Sequence, residues 1–304
     1  MHEVNIRYGM PLGYGPPPGP RQTAPSGEQH AGWEKVKTTT ATVLFKAPRE
    51  ILATFLPHKS FTIDAGGSPG DESYASIVFT RLENLPWLAG RGYNHCGFYV
   101  HDVVCPDRDE QVRGKYLSVL FENRADPIIT GREQLGYAKV FATLDEVRKN
   151  DELVIGMGWE GSTFGTMTLN GLQEVSPPSV VDTLPDSFAP SQGLLHFKCI
   201  PKTGGPGYDA MYPTFTPGSL TSMSTTKHVE TAASAKLEFM DLGCEKLPTL
   251  HHIATRLASL PTANIVHAGV IESVGSTDVS GQRAIALSGA DSVLEEARSS
   301  PVGI

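Results

Sequence analysis

The sequence predicts a mainly β protein with a few short helices. Three observations carry that reading. The 304 residues include 31 Gly and 23 Pro with 39% apolar residues, a composition of many turns. Runs rich in β-branched and aromatic residues recur between those turn formers, and helical spacing is confined to short pieces. Many strands in one chain imply a closed or nearly closed β structure, because closure removes exposed edges. The pattern does not separate a barrel from a sandwich.

Residues 1–32 are Gly-, Pro- and polar-rich, including a Pro16-Pro17-Pro18 run, and cannot sustain a helix or a ladder. They are expected to form an arm, extended or wrapped on a partner subunit of a homo-oligomer. Residues 38–45 read as a strand and 48–55 as a short helix, with Pro48 at its start and Pro57 past its end. Residues 73–82 form the next strand and 84–90 a turn-rich connection. Residues 93–104 carry apolar groups at odd and even positions, which predicts a strand buried on both faces. The mixed charges of 106–113 read as a solvated turn.

Residues 114–123 form another strand. Asp126 is then a good N-cap, Pro127 suits the first helical position, and Gly136 suits the left-handed residue that ends a helix, so a helix is expected over 127–135. Residues 137–142 switch to a strand with Tyr137, Lys139 and Phe141 on one face. Further strands are expected at 152–158, 162–175, 193–200, 229–240 and 263–274, with a helical piece at 250–257. Residues 201–217 read as a long loop, in which Gly204 to Gly207 is turn chemistry rather than a phosphate loop. Residues 33–287 are taken as one domain and 288–304 as a polar tail.

The net charge of −8 argues against a nucleic-acid or anionic-membrane surface and favours small-molecule ligands. Cys96, Cys105, Cys199 and Cys244 have no CxxC spacing, and buried free thiols are expected. No apolar run has the length of a signal-peptide core or a transmembrane helix, so a soluble cytoplasmic protein is the expectation.

One stretch carries a resemblance. Gly131-Arg132-Glu133, a short spacer and Gly136-Tyr137-Ala138-Lys139 resemble the signature of the acetoacetate decarboxylase superfamily. The strand 114–123 fits the family's pattern ahead of that motif without a gap, and 260–269 is similar to its closing loop and strand. The resemblance covers roughly residues 38–274 and is specific in its middle. It implies a double-layered β-barrel or cone, with Lys139 as the lysine that forms a Schiff base with a keto compound and with no metal or organic cofactor. Lysine attacks a ketone only as the free amine, so the site must lower its pKa from about 10.4 by burial, an effect for which acetoacetate decarboxylase is itself a standard illustration.

Tyr137, Phe141, Phe121 and Tyr93 are the expected substrate-contacting aromatics. The decarboxylases' second lysine is replaced by Val140, an acid of theirs falls on His95, and an arginine of theirs falls near Thr38. His95 is then the candidate proton-transfer residue, against a purely structural histidine. Arg132 and Glu133 are read as support for the lysine strand, by ion pairing or loop anchoring, rather than as substrate contacts. His101 is a weaker catalytic candidate, and His251 and His252 diverge on a helix, so metal ligation is not indicated. The implied reactions are decarboxylation of a β-keto acid and aldol, dehydration or cyclisation chemistry, in secondary metabolism. A barrel that binds an apolar ligand without turnover is the alternative.

Overall fold

The structure is a computed structural model that describes residues 8–21, 28, 30–64, 71–176, 193–218, 224–276 and 279–287. The expected tail, 288–304, lies outside them. Two sheets dominate. The larger begins with β1 (Lys37–Pro48), β2 (Thr62–Ile63), β3 (Glu72–Leu85), β4 (Arg91–Asp107), β5 (Glu110–Glu122) and β6 (Lys139–Phe141). The smaller contains β7 (Thr143–Lys149), β8 (Glu152–Trp159), β9 (Ser162–Asn170) and, later in the chain, β14 (Ser234–Phe239). The larger sheet is completed by β10 (Gln173–Glu174), β11 (Gly193–Pro201), β12 (Tyr208–Thr216), β13 (Thr225–Thr231), β15 (Asn264–Val274) and β16 (Arg283–Ala284). Helices are short: α1 (Arg49–Ala53), α2 (Ala125–Thr130), α3 (Gly243–Lys246) and α4 (His251–Ala258).

The larger sheet runs β10-β13-β15-β1-β3-β4-β5-β11-β12-β16, with β2 on β4 and β6 on β5. Among the described residues this path is open, since β10 and β16 at its ends do not pair with each other. The closed ring of hydrogen bonds that a barrel would require is therefore not formed by these strands.

Alternation along β1, β3, β4 and β5 divides the sheet into two unlike faces. Ala41, Val43, Phe45, Ile77, Phe79 and Phe98 point into the main core, together with apolar residues of the smaller sheet and α4. Thr40, Thr80, His95 and Glu122 stand on the opposite face, side by side across the four strands. Burial of β4 on two faces, legible in its sequence, follows from having a core on one side and a cavity on the other. Phe121 belongs to the core face. It is 2% exposed and packs on Phe164 with ring centroids 5.1 Å apart, so it is not the substrate contact expected from the sequence. Phe121→Ala is expected to cost about 3–5 kcal/mol of stability by denaturant unfolding; an unshifted midpoint would contradict this placement.

Three segments differ from expectation. Residues 201–217 are mostly β-hairpin, in which β11 and β12 pair and only residues 202–207 form the connection, with Gly204 and Gly207 at positive φ. Residues 229–240 divide into β13 and β14, which belong to different sheets. All four cysteines are free, but Cys199 and Cys244 are exposed rather than buried. Among the described residues no helix is long and apolar enough to cross a membrane.

Candidate active site

Lys139 is placed by the turn that precedes it. α2 starts at Ala125, so Asp126 lies inside its first turn and the capping position is Arg124, which makes no side-chain cap. The helix then widens into a π-helical turn, Gly131–Leu135, which ends at Gly136 with φ 77°, the left-handed position read from the sequence. Arg132 Nη1 donates to the Lys139 carbonyl at 2.9 Å, which anchors the short strand β6. The side chain of Glu133 is exposed, and its carbonyl accepts from Lys198 Nζ at 2.6 Å. Arg132 acts through this backbone anchor; it makes no ion pair with Glu133.

β6 runs parallel to β5, with Leu120 beside Lys139. Lys139 is 4% exposed. Its Nζ donates to the Pro127 carbonyl at 3.0 Å, lies 2.9 Å from Glu122 Oε1 and stands 5.4 Å from the centre of the Tyr137 ring. Glu122 is fully buried. Despite the short contact, neither of its oxygens has a well-aligned donor among the described residues. A carboxyl held this way is short of partners, a state that buried polar groups rarely keep without a functional reason.

Burial is the largest influence on both groups. It lowers the Lys139 pKa, against the raising effect of Glu122, and raises the Glu122 pKa, against the lowering effect of Lys139. Close pairing with a carboxylate would by itself hold the amine protonated. Here desolvation disfavours charge on both partners and is the largest influence on each.

Sequence comparison gives no sign of Glu122, because the family's acid aligns with His95. Glu122 is the direct neighbour of His95 across the β4–β5 ladder. His95 lies at the cavity, and burial, followed by the charge of Lys139, takes its pKa down to about 3. It is therefore a neutral imidazole at physiological pH, not the group titrating near 6.5 that the sequence suggested. Rate profiles are expected to show no limb from His95 between pH 5 and 8; a limb there that disappears in His95→Gln would contradict this.

A cavity of about 410 Å³ opens beside the lysine. Tyr93, His95 and Tyr137 line it with Lys139 and Glu122, as does Thr38, near which the family's arginine is expected from the sequence. Phe141 does not line it. That ring is 45% exposed, where β6 leaves the sheet edge before β7 begins. Val140, in place of the second lysine, points away and packs on the main core.

His196, which the sequence did not single out, is fully buried and stacks on Tyr137 at 3.9 Å. Burial, then Lys139, lowers its pKa to about 3. Thr216 Oγ1 lies 3.0 Å from the Tyr137 hydroxyl and 3.3 Å from His196 Nε2, and together these hold the Tyr137 ring. The arm also returns to this region: Pro20 reaches the cavity, and buried Arg21 donates from Nη1 to Gln134 Oε1 at 2.8 Å. His101 is buried 2.8 Å from Ser76 Oγ, outside the cavity. The His251 and His252 rings meet edge to face at 5.6 Å, and no metal-binding cluster occurs among the described residues.

No curated protein matches the sequence. Among solved structures, an acetoacetate decarboxylase superposes with TM-score 0.63 at 15% identity, covering 93% of this chain and 96% of its own. Acetoacetate decarboxylase from Legionella pneumophila does so with TM-score 0.56 at 16% identity, covering 81% and 86%. MppR, an enduracididine biosynthesis enzyme complexed with the condensation product of pyruvate and imidazole 4-carboxaldehyde, gives TM-score 0.56 at 15% identity, covering 92% and 96%. At such identities these likenesses speak for the fold alone. The sequence itself matches the acetoacetate decarboxylase (ADC) family over residues 18–273, a span that holds the buried lysine, the smaller sheet and all of the larger one but β16 and the last residue of β15, and the chain belongs to that family.

Proposed function

We propose that the protein is a carbon–carbon lyase in which Lys139 forms a Schiff base with a β-keto acid or related keto compound. The carrying observation is a cavity-facing lysine, 4% exposed, whose pKa is lowered by burial against the raising effect of the Glu122 carboxyl 2.9 Å away. The free amine adds to the carbonyl to give a carbinolamine. Loss of water from that adduct needs an acid, and Glu122 in its protonated form is the donor in reach. The iminium then accepts the electron pair released from the adjacent carbon, whether carbon dioxide or an aldehyde departs. Tyr93 and Tyr137 provide the walls that exclude water, and His95, a neutral imidazole at the cavity, offers a hydrogen bond to a substrate oxygen and so assists the proton transfers made by Glu122.

Aldol, dehydration or cyclisation chemistry on the same iminium is the second reading. Its support is the lack of the decarboxylases' second lysine and arginine at Val140 and Thr38, together with the condensation product held by the similar MppR. A role in secondary metabolism, a cytoplasmic setting, a homo-oligomer and a cone-like enclosure around the lysine belong to this proposal. A ligand-binding protein without turnover is the rival reading.

Incubation with keto compounds and borohydride, followed by peptide mass mapping, tests the proposal. A reduced adduct on Lys139 is expected. Mapping is essential because burial also lowers Lys115, outside the cavity, to about 8. No adduct, or one on Lys115 alone, would favour the binder. Glu122→Gln is expected to slow turnover by about 10²- to 10⁴-fold while Lys139 remains trappable; undiminished turnover would remove Glu122 from the mechanism.

A further inference from the structure

We infer that the cavity selects an uncharged, oxygen-bearing ketone with an aromatic or alkyl end, and disfavours a keto acid. This rests on the iminium reading above, and of the substrates named there it favours the related keto compound, and with it the aldol, dehydration or cyclisation chemistry, over the β-keto acid. Three features of the lining lead to it.

The first is charge. Lys139 is the sole Lys or Arg among the described lining residues, and the lining histidine, His95, is neutral. Segments 219–223 and 277–278, adjacent in sequence to lining residues Ser224, Ser276 and Val279, contain no Lys or Arg either. Arg21 is buried outside the lining, with Nη1 engaged by Gln134, and its charge acts on the lining residue Tyr137 less strongly than burial and the Thr216 hydrogen bond do. A keto acid binding here, α or β, would bring its carboxylate within one or two bonds of the carbonyl carbon, and so beside Nζ and Glu122. It would hold Lys139 as the ammonium, which cannot attack, and would set two carboxyl groups against each other.

The second is a row of hydroxyls. Ser273 and Thr38 are neighbours across β15 and β1, and Thr40 and Thr80 are neighbours across β1 and β3. All four line the cavity. None of these hydroxyls has a hydrogen-bond partner among the described residues, so they are available to neutral oxygen atoms of a ligand.

The third is an apolar wall. Trp33, Leu85 and Trp87 line the cavity and form a separate buried cluster, on which Leu82 and Tyr93 pack. An apolar terminus, aromatic above all, fits this cluster. A volume of about 410 Å³ lies within the range of sites for drug-sized molecules, well beyond the need of a four-carbon keto acid.

The experiment uses a matched pair, 4-(4-hydroxyphenyl)butan-2-one and 4-(4-hydroxyphenyl)-2-oxobutanoate, which differ by a methyl group against a carboxylate. Binding is measured by calorimetry on Lys139→Met, which cannot form an iminium, and trapping by borohydride on the unmodified protein. The neutral ketone is expected to bind Lys139→Met at least tenfold more tightly. Lys139→Met/Thr38→Arg, which supplies the missing cation, is expected to narrow or reverse that ratio. Equal or tighter binding of the keto acid to Lys139→Met, or no binding of the neutral ketone, overturns the inference. A preserved binding preference with no trapped adduct on the unmodified protein sinks the iminium reading and upholds the selectivity.

Discussion

Replacing Lys139 with methionine is expected to lower turnover by on the order of 10⁴- to 10⁶-fold, the scale seen when a covalent enzyme loses its nucleophile. Borohydride-dependent labelling of the site should vanish with it. Methionine nearly matches the length and bulk of the lysine stem, so the contacts around β6 persist and the loss isolates the amine. Folding of the variant is checked by circular dichroism. A Lys139→Met protein that folds and retains most of its activity would mean that the cavity works without covalent chemistry.

Gly131→Ala is expected to cost about 10²-fold in turnover, the scale of a misplaced reacting group, with the fold intact. Gly131 has φ −66° and ψ −41°, right-handed helical values that any residue adopts. Alanine there would ordinarily stabilise the turn. What excludes it is the lysine: a Cβ on Gly131 would stand 2.5 Å from Lys139 Cδ and Cε and 2.7 Å from Nζ. The amine must then leave its contacts with Pro127 and Glu122. Kinetics measured beside a thermal melt check this, since full activity in Gly131→Ala would show that the lysine need not occupy this channel.

The sequence made the lysine legible and left its partner hidden. The Gly131 to Lys139 stretch revealed the turn, the left-handed Gly136 and the buried amine, because turn chemistry and motif spacing are local. Glu122 reaches Lys139 through the parallel β5–β6 pairing, and His196 reaches Tyr137 through β11, which pairs parallel with β5. Such registers join residues far apart in the chain, and no local pattern reports them. Phe121 and Phe141 failed as site residues for related reasons. Strand alternation turns the first to the core. The second shares the parity of Lys139, but β6 ends there and leaves it exposed. The long loop expected at 201–217 became a hairpin because Gly204 and Gly207 serve as its turn.

The measurement that bears most directly on this account is the ionisation of the Lys139 amine itself, followed by NMR in lysine-labelled protein with Lys139→Met to assign the signal. Burial outweighs the Glu122 carboxyl, so the amine is predicted to titrate below the ordinary lysine value of about 10.4, and lower still in Glu122→Gln, where the raising influence is gone. Titration at or above the ordinary value would show a locked ammonium–carboxylate pair and contradict the account.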